Sequence, residues 1–275
     1  CMAAVYLIDV YRGDRAAEHS FLLCALFLSF FPHVISGPIA RAGGLIPQFR
    51  EVHRFDYDKF RAGLLRFLWG AFKKLCIADR LAVMVDRIFG EYYLYQSTAL
   101  VAAAVGFAFQ IYCDFASYST IAIGAAQVMG FTLMENFNTP YFAVSIKDFW
   151  RRWHISLSTW FRDYLYIPMG GNRCPKLRQK FNLMVTFLVS GLWHGASWNF
   201  VLWGLYFWVL LLVEKFVLLR WLKRAPGAVG HLYPLFFVLV SWTIFAIEDF
   251  GQLGEYLKVM FGLGGAPLAD GTLGY

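Results

Sequence analysis

Five long stretches of this sequence contain no Asp, Glu, Lys or Arg, and they limit what the chain can fold into. They cover residues 20–40, 92–113, 115–134, 181–213 and 225–247. About 20 apolar residues in helical conformation cross the core of a bilayer. A helix also pairs its own backbone polar groups, which lipid cannot do. The stretches therefore predict five or six transmembrane spans or half-spans, all of them helical.

Composition supports a membrane protein and excludes several other classes. Hydrophobic residues make up 59% of the 275 residues and charged residues 16%, whereas a soluble domain is about half apolar and a quarter charged. The net charge of +7 comes from basic clusters at residues 61–80, 173–180 and 215–224. Such clusters between apolar runs are typical of loops facing the cytoplasm, so we expect membrane lipid, and not nucleic acid, as the partner of these charges.

The predicted fold is all-α: a polytopic transmembrane helical protein forming a single membrane domain over residues 1–275. The chain starts at Cys1 and ends in a Gly-rich tail from residue 262, so we expect a fragment that is truncated at both ends. Residues 60–89 read as an interfacial amphipathic helix. Residues 33–41, rich in Pro and Gly, read as a re-entrant segment. Residues 21–31 are predicted to span the membrane. Residues 100–130 are predicted to form two apolar segments joined around Asp114.

The stretch FWRRWHISLSTWFRDYLYIP, residues 149–168, places a histidine among aromatic and basic side chains. We predict one helix over residues 149–166, with Ser145 as its N-cap and an ion pair between Asp148 and Arg152. Two interpretations of His154 remain open. The helix could lie in the headgroup region with its arginines reaching water. Alternatively, His154 and its cationic neighbours line a cavity for a polar or anionic ligand.

A second histidine lies in VSGLWHGASWNF, inside the longest charge-free run. The small residues beside His194 allow close approach of a helix or a substrate. A histidine at this depth needs a hydrogen-bond partner or a water-filled space, so a structural role and a functional role are both open. The sequence has no GxSxG, Walker-type loop or HExxH motif. Its five scattered cysteines favour neither disulfides nor a metal site.

Five segments together resemble the membrane-bound O-acyltransferase (MBOAT) family, in particular its alginate O-acetyltransferase branch. They are SFFPHVISGPIARAGGLIPQF, QIYCDFASYSTIAIG, ENFNTPY, DFWRRWHISLSTWFRDYLYIPMGGNR and VTFLVSGLWHGASWNFVLWG. The resemblance covers about residues 5–250. It implies helices arranged around a central tunnel or funnel, and it matches the family's WHG histidine to His194 and a second polar position to His154.

The resemblance also implies a function. Family members move an acyl group from a cytoplasmic thioester donor to a hydroxyl. We therefore expect an O-acyltransferase of a bacterial inner membrane, O-acetylating an exported polysaccharide such as alginate. The donor would be acetyl-CoA or an acyl carrier protein thioester, with no bound cofactor and no metal, and the partners would be periplasmic acetyltransferase proteins and the polysaccharide.

Roles for individual residues follow as expectations. His194 is expected to act as the general base, and His154 to orient the acceptor, assist proton transfer or stabilise the oxyanion. The expected substrate-binding residues are Trp150, Arg151, Ser158, Trp193 and Asp114. Two other functions remain open: a transporter that uses the two histidines as a proton relay, and a non-catalytic scaffold subunit of an acetylation complex.

Overall fold

The computed structural model describes residues 2–34, 37–222, 224 and 226–264. Every regular element in these ranges is a helix, which confirms the all-α prediction. The predicted re-entrant segment at 33–41 lies partly outside the described residues, because positions 35 and 36 are not among them. The same holds for most of the Gly-rich tail.

The chain forms two compact units. Unit 1 comprises Cys1–Cys76, Cys113–Pro140 and Asp148–Met169, and unit 2 comprises Ile77–Tyr112, Tyr141–Lys147 and Gly170–Tyr275. The helices of the first half of the chain are α1 (Met2–Arg12), α2 (Phe21–Ser29), α3 (Phe31–Val34), α4 (Ala42–Arg50), α5 (Tyr57–Phe72), α6 (Asp79–Gly90) and α7 (Ser97–Val128). Those of the second half are α8 (Ile146–Arg152), α9 (Ile155–Phe161), α10 (Lys176–His194), α11 (Trp198–Val213), α12 (Leu219–Leu222), α13 (Gly227–Ala246) and α14 (Phe250–Met260).

Unit 1 is held together by an apolar core and by one close helix contact. Phe27, Leu45 and Ala126, from α2, α4 and α7, lie in one buried cluster. Helices α5 and α7 approach closely at two glycines: a Cβ on Gly63 would lie 2.7 Å from a backbone nitrogen of α7, and one on Gly124 would lie 2.6 Å from a backbone nitrogen of α5. Only glycine permits such an approach.

Three helices among the described residues are long and apolar enough to cross a membrane: Ser97–Val128, Trp198–Leu222 and Gly227–Ala246. The prediction of a span over residues 21–31 is wrong, because α2 has nine residues and so extends only about 13 Å. The five or six predicted spans and half-spans therefore exceed the three helices that meet this criterion in the described ranges.

Residues 100–130 form part of one continuous helix of 32 residues, so the prediction of two apolar segments joined at Asp114 is wrong. The carboxylate of Asp114 pairs with the ammonium group of Lys74. Because the charge is compensated by a side chain of a neighbouring helix, it does not have to interrupt α7. The helix predicted over residues 60–89 is confirmed by α5 and α6, which are joined by the π-helical turn Lys73–Ala78, while its interfacial location stays a prediction.

The single helix predicted over residues 149–166 is also wrong. Helix α8 ends at Arg152 and α9 begins at Ile155, while His154 adopts a left-handed backbone conformation with φ +43°. The backbone N–H of Ile155 donates to the Asn136 carbonyl at 2.9 Å, and the Arg152 carbonyl accepts from the Asn138 N–H at 2.9 Å. These bonds to a distant loop replace those that a continuous helix would make.

Two local features of α8 can be compared with the sequence. The predicted ion pair between Asp148 and Arg152 is confirmed, with 2.9 Å between Oδ2 and Nε. The start of the helix has an acceptor that the sequence did not indicate, while the capping role of Ser145 stays a prediction. The carboxylate of Glu214, in the continuation of α11, accepts the backbone N–H groups of Ile146 at 2.6 Å and Lys147 at 3.1 Å. A buried acid thus holds the first turn of α8.

Candidate functional site

His154 occupies the break between α8 and α9 in unit 1. Its Nδ1 lies 3.1 Å from the side-chain oxygen of Asn136. The ring of Phe115 meets the imidazole edge to face at 4.6 Å, and that of Phe137 lies nearly parallel to it at 6.4 Å. His154 is half-buried, so these contacts hold its ring on several sides while part of the residue stays accessible.

Asn136 is the centre of a buried polar network around this histidine. Its side-chain oxygen also accepts the backbone N–H of Ser156 at 3.1 Å and the Ser156 hydroxyl at 2.9 Å. Its amide nitrogen donates to the Ser119 hydroxyl at 3.0 Å. Sequence reasoning used ENFNTPY only as one of the segments that resemble the family, and it missed Asn136. The available signal was the motif ENFNTPY, one of the five family-like segments, whose amide side chains follow the charge-free run at residues 115–134.

The other predicted binding residues of unit 1 differ in their surroundings. Ser158 lies in α9, and its hydroxyl donates to the carbonyl of Trp153 at 3.2 Å. Trp150 lies in α8 and contacts the ring of Phe149 at 5.6 Å. The side chain of Arg151 is exposed. Asp114 is engaged in the pair with Lys74 described above, which gives it a structural partner.

Two of the three arginines of this stretch are paired with carboxylates. Arg152 pairs with Asp148, and Arg162 pairs with Asp163 at 2.7 Å, which also binds Arg41. Burial alone would raise the pKa of Asp163, but hydrogen bonds from Arg162 and Arg41 outweigh it and lower the pKa. The geometry of Arg152 and Arg162 thus supports a structural role more than attraction of an anionic donor.

His194 is the last residue of α10 and lies in unit 2. The rings of Trp203 and Phe245 meet its imidazole edge to face, each at 5.3 Å, and the ring of Phe200 lies at 6.3 Å. The amide of Asn199, fully buried, donates to the Phe245 carbonyl at 3.0 Å. Aromatic rings therefore contact the imidazole on one side, while His194 as a whole is exposed.

Small residues around His194 bring α10 and α11 into direct backbone contact, as the sequence predicted. A Cβ on Gly191 would lie 2.2 Å from the Phe200 carbonyl oxygen, and one on Gly204 would lie 2.4 Å from the Phe187 carbonyl oxygen. Trp193, beside the histidine, is exposed. This packing sets the position of the end of α10, and with it the position of His194.

The predicted site residues lie in two different units. Unit 1 contains His154, Asp114, Trp150, Arg151 and Ser158, and unit 2 contains His194 and Trp193. The convergence of the two imidazoles in one passage stays a prediction. Each histidine alone has the environment that a proton-transfer group needs: a ring held in place by neighbours, with part of the residue accessible. No group of three metal-binding side chains occurs within the described ranges.

The fold and these two sites define an all-helical membrane protein with ionisable side chains placed among apolar helices. The family model that matches residues 14–250 is that of the membrane-bound O-acyltransferase family, and the chain belongs to this family. It is 41% identical over 266 residues to the probable alginate O-acetylase AlgI of Azotobacter vinelandii, covering 96% of this chain and 53% of that protein.

Two other relatives carry different names. The peptidoglycan O-acetyltransferase of Helicobacter pylori is 38% identical, with 90% of this chain and 48% of that protein covered. The teichoic acid D-alanyltransferase of Bacillus subtilis is 31% identical, with 72% and 52% covered. The chain thus spans about half the length of the curated relatives it matches.

Proposed function

We propose that this chain carries the acyl-transfer centre of a bacterial membrane O-acetyltransferase that modifies an exported polysaccharide. The observation that carries the proposal is the position of His194. The family's WHG motif ends α10 here, with the histidine accessible on one side and backed by aromatic rings on the other. The 41% identity to an alginate O-acetylase over nearly the whole chain supports the same reaction class.

The chemistry assigned to His194 is general base catalysis of acyl transfer. The neutral imidazole takes the proton of an acceptor hydroxyl as its oxygen attacks the carbonyl carbon of the thioester. A C–O bond forms, the C–S bond breaks, and the imidazolium returns its proton to the departing thiolate. His154 assists by orienting the hydroxyl or by accepting its proton during the transfer.

The donor, location and partners are inferred from the family resemblance. The donor is acetyl-CoA or an acyl carrier protein thioester on the cytoplasmic side of the inner membrane, and no cofactor is held between turnovers. Periplasmic acetyltransferase proteins complete the transfer to the polymer. Alginate is the first acceptor to test, because of the relative in Azotobacter. Peptidoglycan is the second, because of the relative in Helicobacter.

The test measures transfer of labelled acetyl from acetyl-CoA into the membrane fraction and into purified polysaccharide, with the intact protein in its own membrane. His194→Ala is compared with wild type and with His231→Ala. His231 is an exposed histidine of α13 and controls for loss of an imidazole as such. Loss of a general base lowers the rate by about 10²–10⁴-fold, whereas His231→Ala retains the wild-type rate.

Each alternative predicts a different result. A scaffold subunit gives labelled acetyl in His194→Ala at the wild-type rate when protein levels are equal. A proton-relaying transporter gives flux without any thioester donor and no labelled product. Either result would refute the proposal, and analysis of the labelled polymer distinguishes alginate from peptidoglycan.

A further inference from the structure

We propose that Asn136 is a positioning residue for His154, holding its imidazole in the tautomer that carries hydrogen on Nδ1 and presents Nε2 as a proton acceptor. The tautomer assignment follows from hydrogen bonds alone. Only its consequence for catalysis rests on the proposed acyl transfer.

The identity of the Asn136 atom that faces His154 is fixed by its other partners. The backbone N–H of Ser156 lies 3.1 Å from that atom, and a backbone N–H can only donate. The atom is therefore the amide oxygen. The amide nitrogen points to the Ser119 hydroxyl at 3.0 Å, which accepts its hydrogen. Exchanging the oxygen and nitrogen of this amide would place a donor against the Ser156 N–H.

Because the amide oxygen can only accept, Nδ1 of His154 must be the donor across their 3.1 Å contact. A neutral imidazole carries one hydrogen, so Nε2 is then the ring nitrogen that carries none. The protonation pattern of His154 is thus decided by a residue 18 positions earlier in the sequence, which itself takes no part in bond making.

The surroundings indicate that this contact is built into the fold. Asn136 is 1% exposed, and its side chain makes the hydrogen bonds on both sides that a buried amide requires. Its backbone carbonyl also accepts the N–H of Ile155 at 2.9 Å, on the far side of the left-handed residue His154. Non-glycine residues in this conformation persist where surrounding contacts enforce them, often at functional sites.

The aromatic rings beside the imidazole limit its rotation. Phe115 meets it edge to face, and Phe137 lies within 17° of parallel to it. Among the charged groups on these elements, Asp114 pairs with Lys74, Glu135 with Arg66, and Asp148 with Arg152, while Lys147 and Arg151 of α8 are exposed. The hydrogen bond that orients the ring comes from a neutral amide.

The test uses diethylpyrocarbonate, which acylates only the unprotonated imidazole. Mass spectrometry of the peptide containing His154 gives the extent of modification as a function of pH in the intact membrane protein. Asn136→Asp keeps an acceptor for Nδ1–H but adds a negative charge, which favours the imidazolium. We expect the midpoint of modification to move about one pH unit upward, and the acid limb of the acetyl-transfer profile to move with it.

Two further variants complete the test. Ser119→Ala removes the acceptor of the Asn136 amide nitrogen and leaves the contact with the imidazole in place. The midpoint of His154 modification therefore stays at the wild-type pH. Asn136→Leu removes the acceptor, and kcat falls at least about tenfold, as expected when a histidine loses its orienting partner. If Asn136→Leu does not fold, the modification midpoint of Asn136→Asp still tests the proposal.

The outcomes separate this inference from the proposed function. A midpoint that stays in place in Asn136→Asp, or that moves equally in Ser119→Ala, would overturn the role of Asn136. Absence of acetyl transfer in wild type would overturn the proposed function, while the modification midpoints would still decide whether Asn136 sets the protonation pattern of His154.

Discussion

The carboxylate of Glu214 lies 2.6 Å from the backbone nitrogen of Ile146, so a buried acid in an apolar helix holds the start of α8. Glu214 is 3% exposed and belongs to a candidate membrane span. An ionisable side chain in such a position usually has a functional or structural partner. Here the partners are two backbone N–H groups that no intrahelical bond could satisfy.

Replacement of Glu214 tests this capping role. Glu214→Leu leaves the N–H groups of Ile146 and Lys147 without this acceptor, at a cost of about 1–3 kcal/mol for the buried N–H of Ile146 and less for the partly buried N–H of Lys147. Glu214→Gln keeps one acceptor oxygen and should lose roughly half as much. The measurement is thermal unfolding in detergent, with Glu255→Gln in an exposed ion pair as the control. Equal stability of the Leu and Gln variants would contradict the assignment.

The contact between α10 and α11 yields a second prediction. Gly191→Ala places a methyl group against the Phe200 carbonyl oxygen, where the ideal Cβ distance is 2.2 Å. Overpacking of this kind costs about 1–3 kcal/mol, and the shift of α10 should displace His194, one turn further along the same helix. We expect a lower melting temperature together with reduced acetyl transfer.

Gly254→Ala is the matched control for that substitution, because a Cβ at this position in α14 meets nothing within 4 Å. An added methyl group in an open helical position stabilises by up to about 1 kcal/mol. If Gly191→Ala behaved like Gly254→Ala, the two helices would not be in the contact described here.

The ion pairs of Asp163 predict a dependence of stability on pH. The pKa of Asp163 is lowered from its ordinary value of 3.8, because the hydrogen bonds from Arg162 and Arg41 outweigh the effect of burial. The folded state therefore holds the proton less tightly than the unfolded state. The stabilisation is complete well above pH 3.8 and is lost as the pH falls through the lower folded-state pKa.

Melting temperatures of wild type and Asp163→Asn test that dependence. We expect wild type to melt higher at about pH 7, and the difference to shrink at about pH 3, below the ordinary value of 3.8, because the unfolded state takes up a proton there that the folded state binds less tightly. A difference that is the same at both pH values would show that the ion pairs do not account for the effect of the substitution.

The pair between Lys74 and Asp114 predicts a modest coupling energy. Their side chains are 27% and 39% exposed, and double-mutant cycles on exposed ion pairs typically give about 0.2–1 kcal/mol. A double-mutant cycle with Lys74→Met, Asp114→Asn and the double variant measures the coupling by thermal unfolding. Zero coupling would leave Asp114 without the structural partner seen here and restore the expectation that it binds substrate.

The sequence predicted those features that depend on local pattern. Charge-free apolar runs predicted a helical membrane protein, and the run at residues 225–247 corresponds closely to α13. The Asp148–Arg152 pair followed from helical spacing alone. Small residues beside His194 correctly indicated close helix packing at Gly191. All of these involve neighbours within a few residues, or the simple balance of apolar and charged side chains.

The sequence itself determined the membrane class, the helical fold and the family motifs that contain His154 and His194, because hydrophobicity and local spacing are properties of the chain. Tertiary structure alone decided that the helix breaks at His154, that Asn136 orients its ring, and that Glu214 caps α8. The partners in these last two contacts lie 18 and 68 residues apart. No local pattern encodes such pairs, since only the packing of distant helices brings a buried donor to its acceptor.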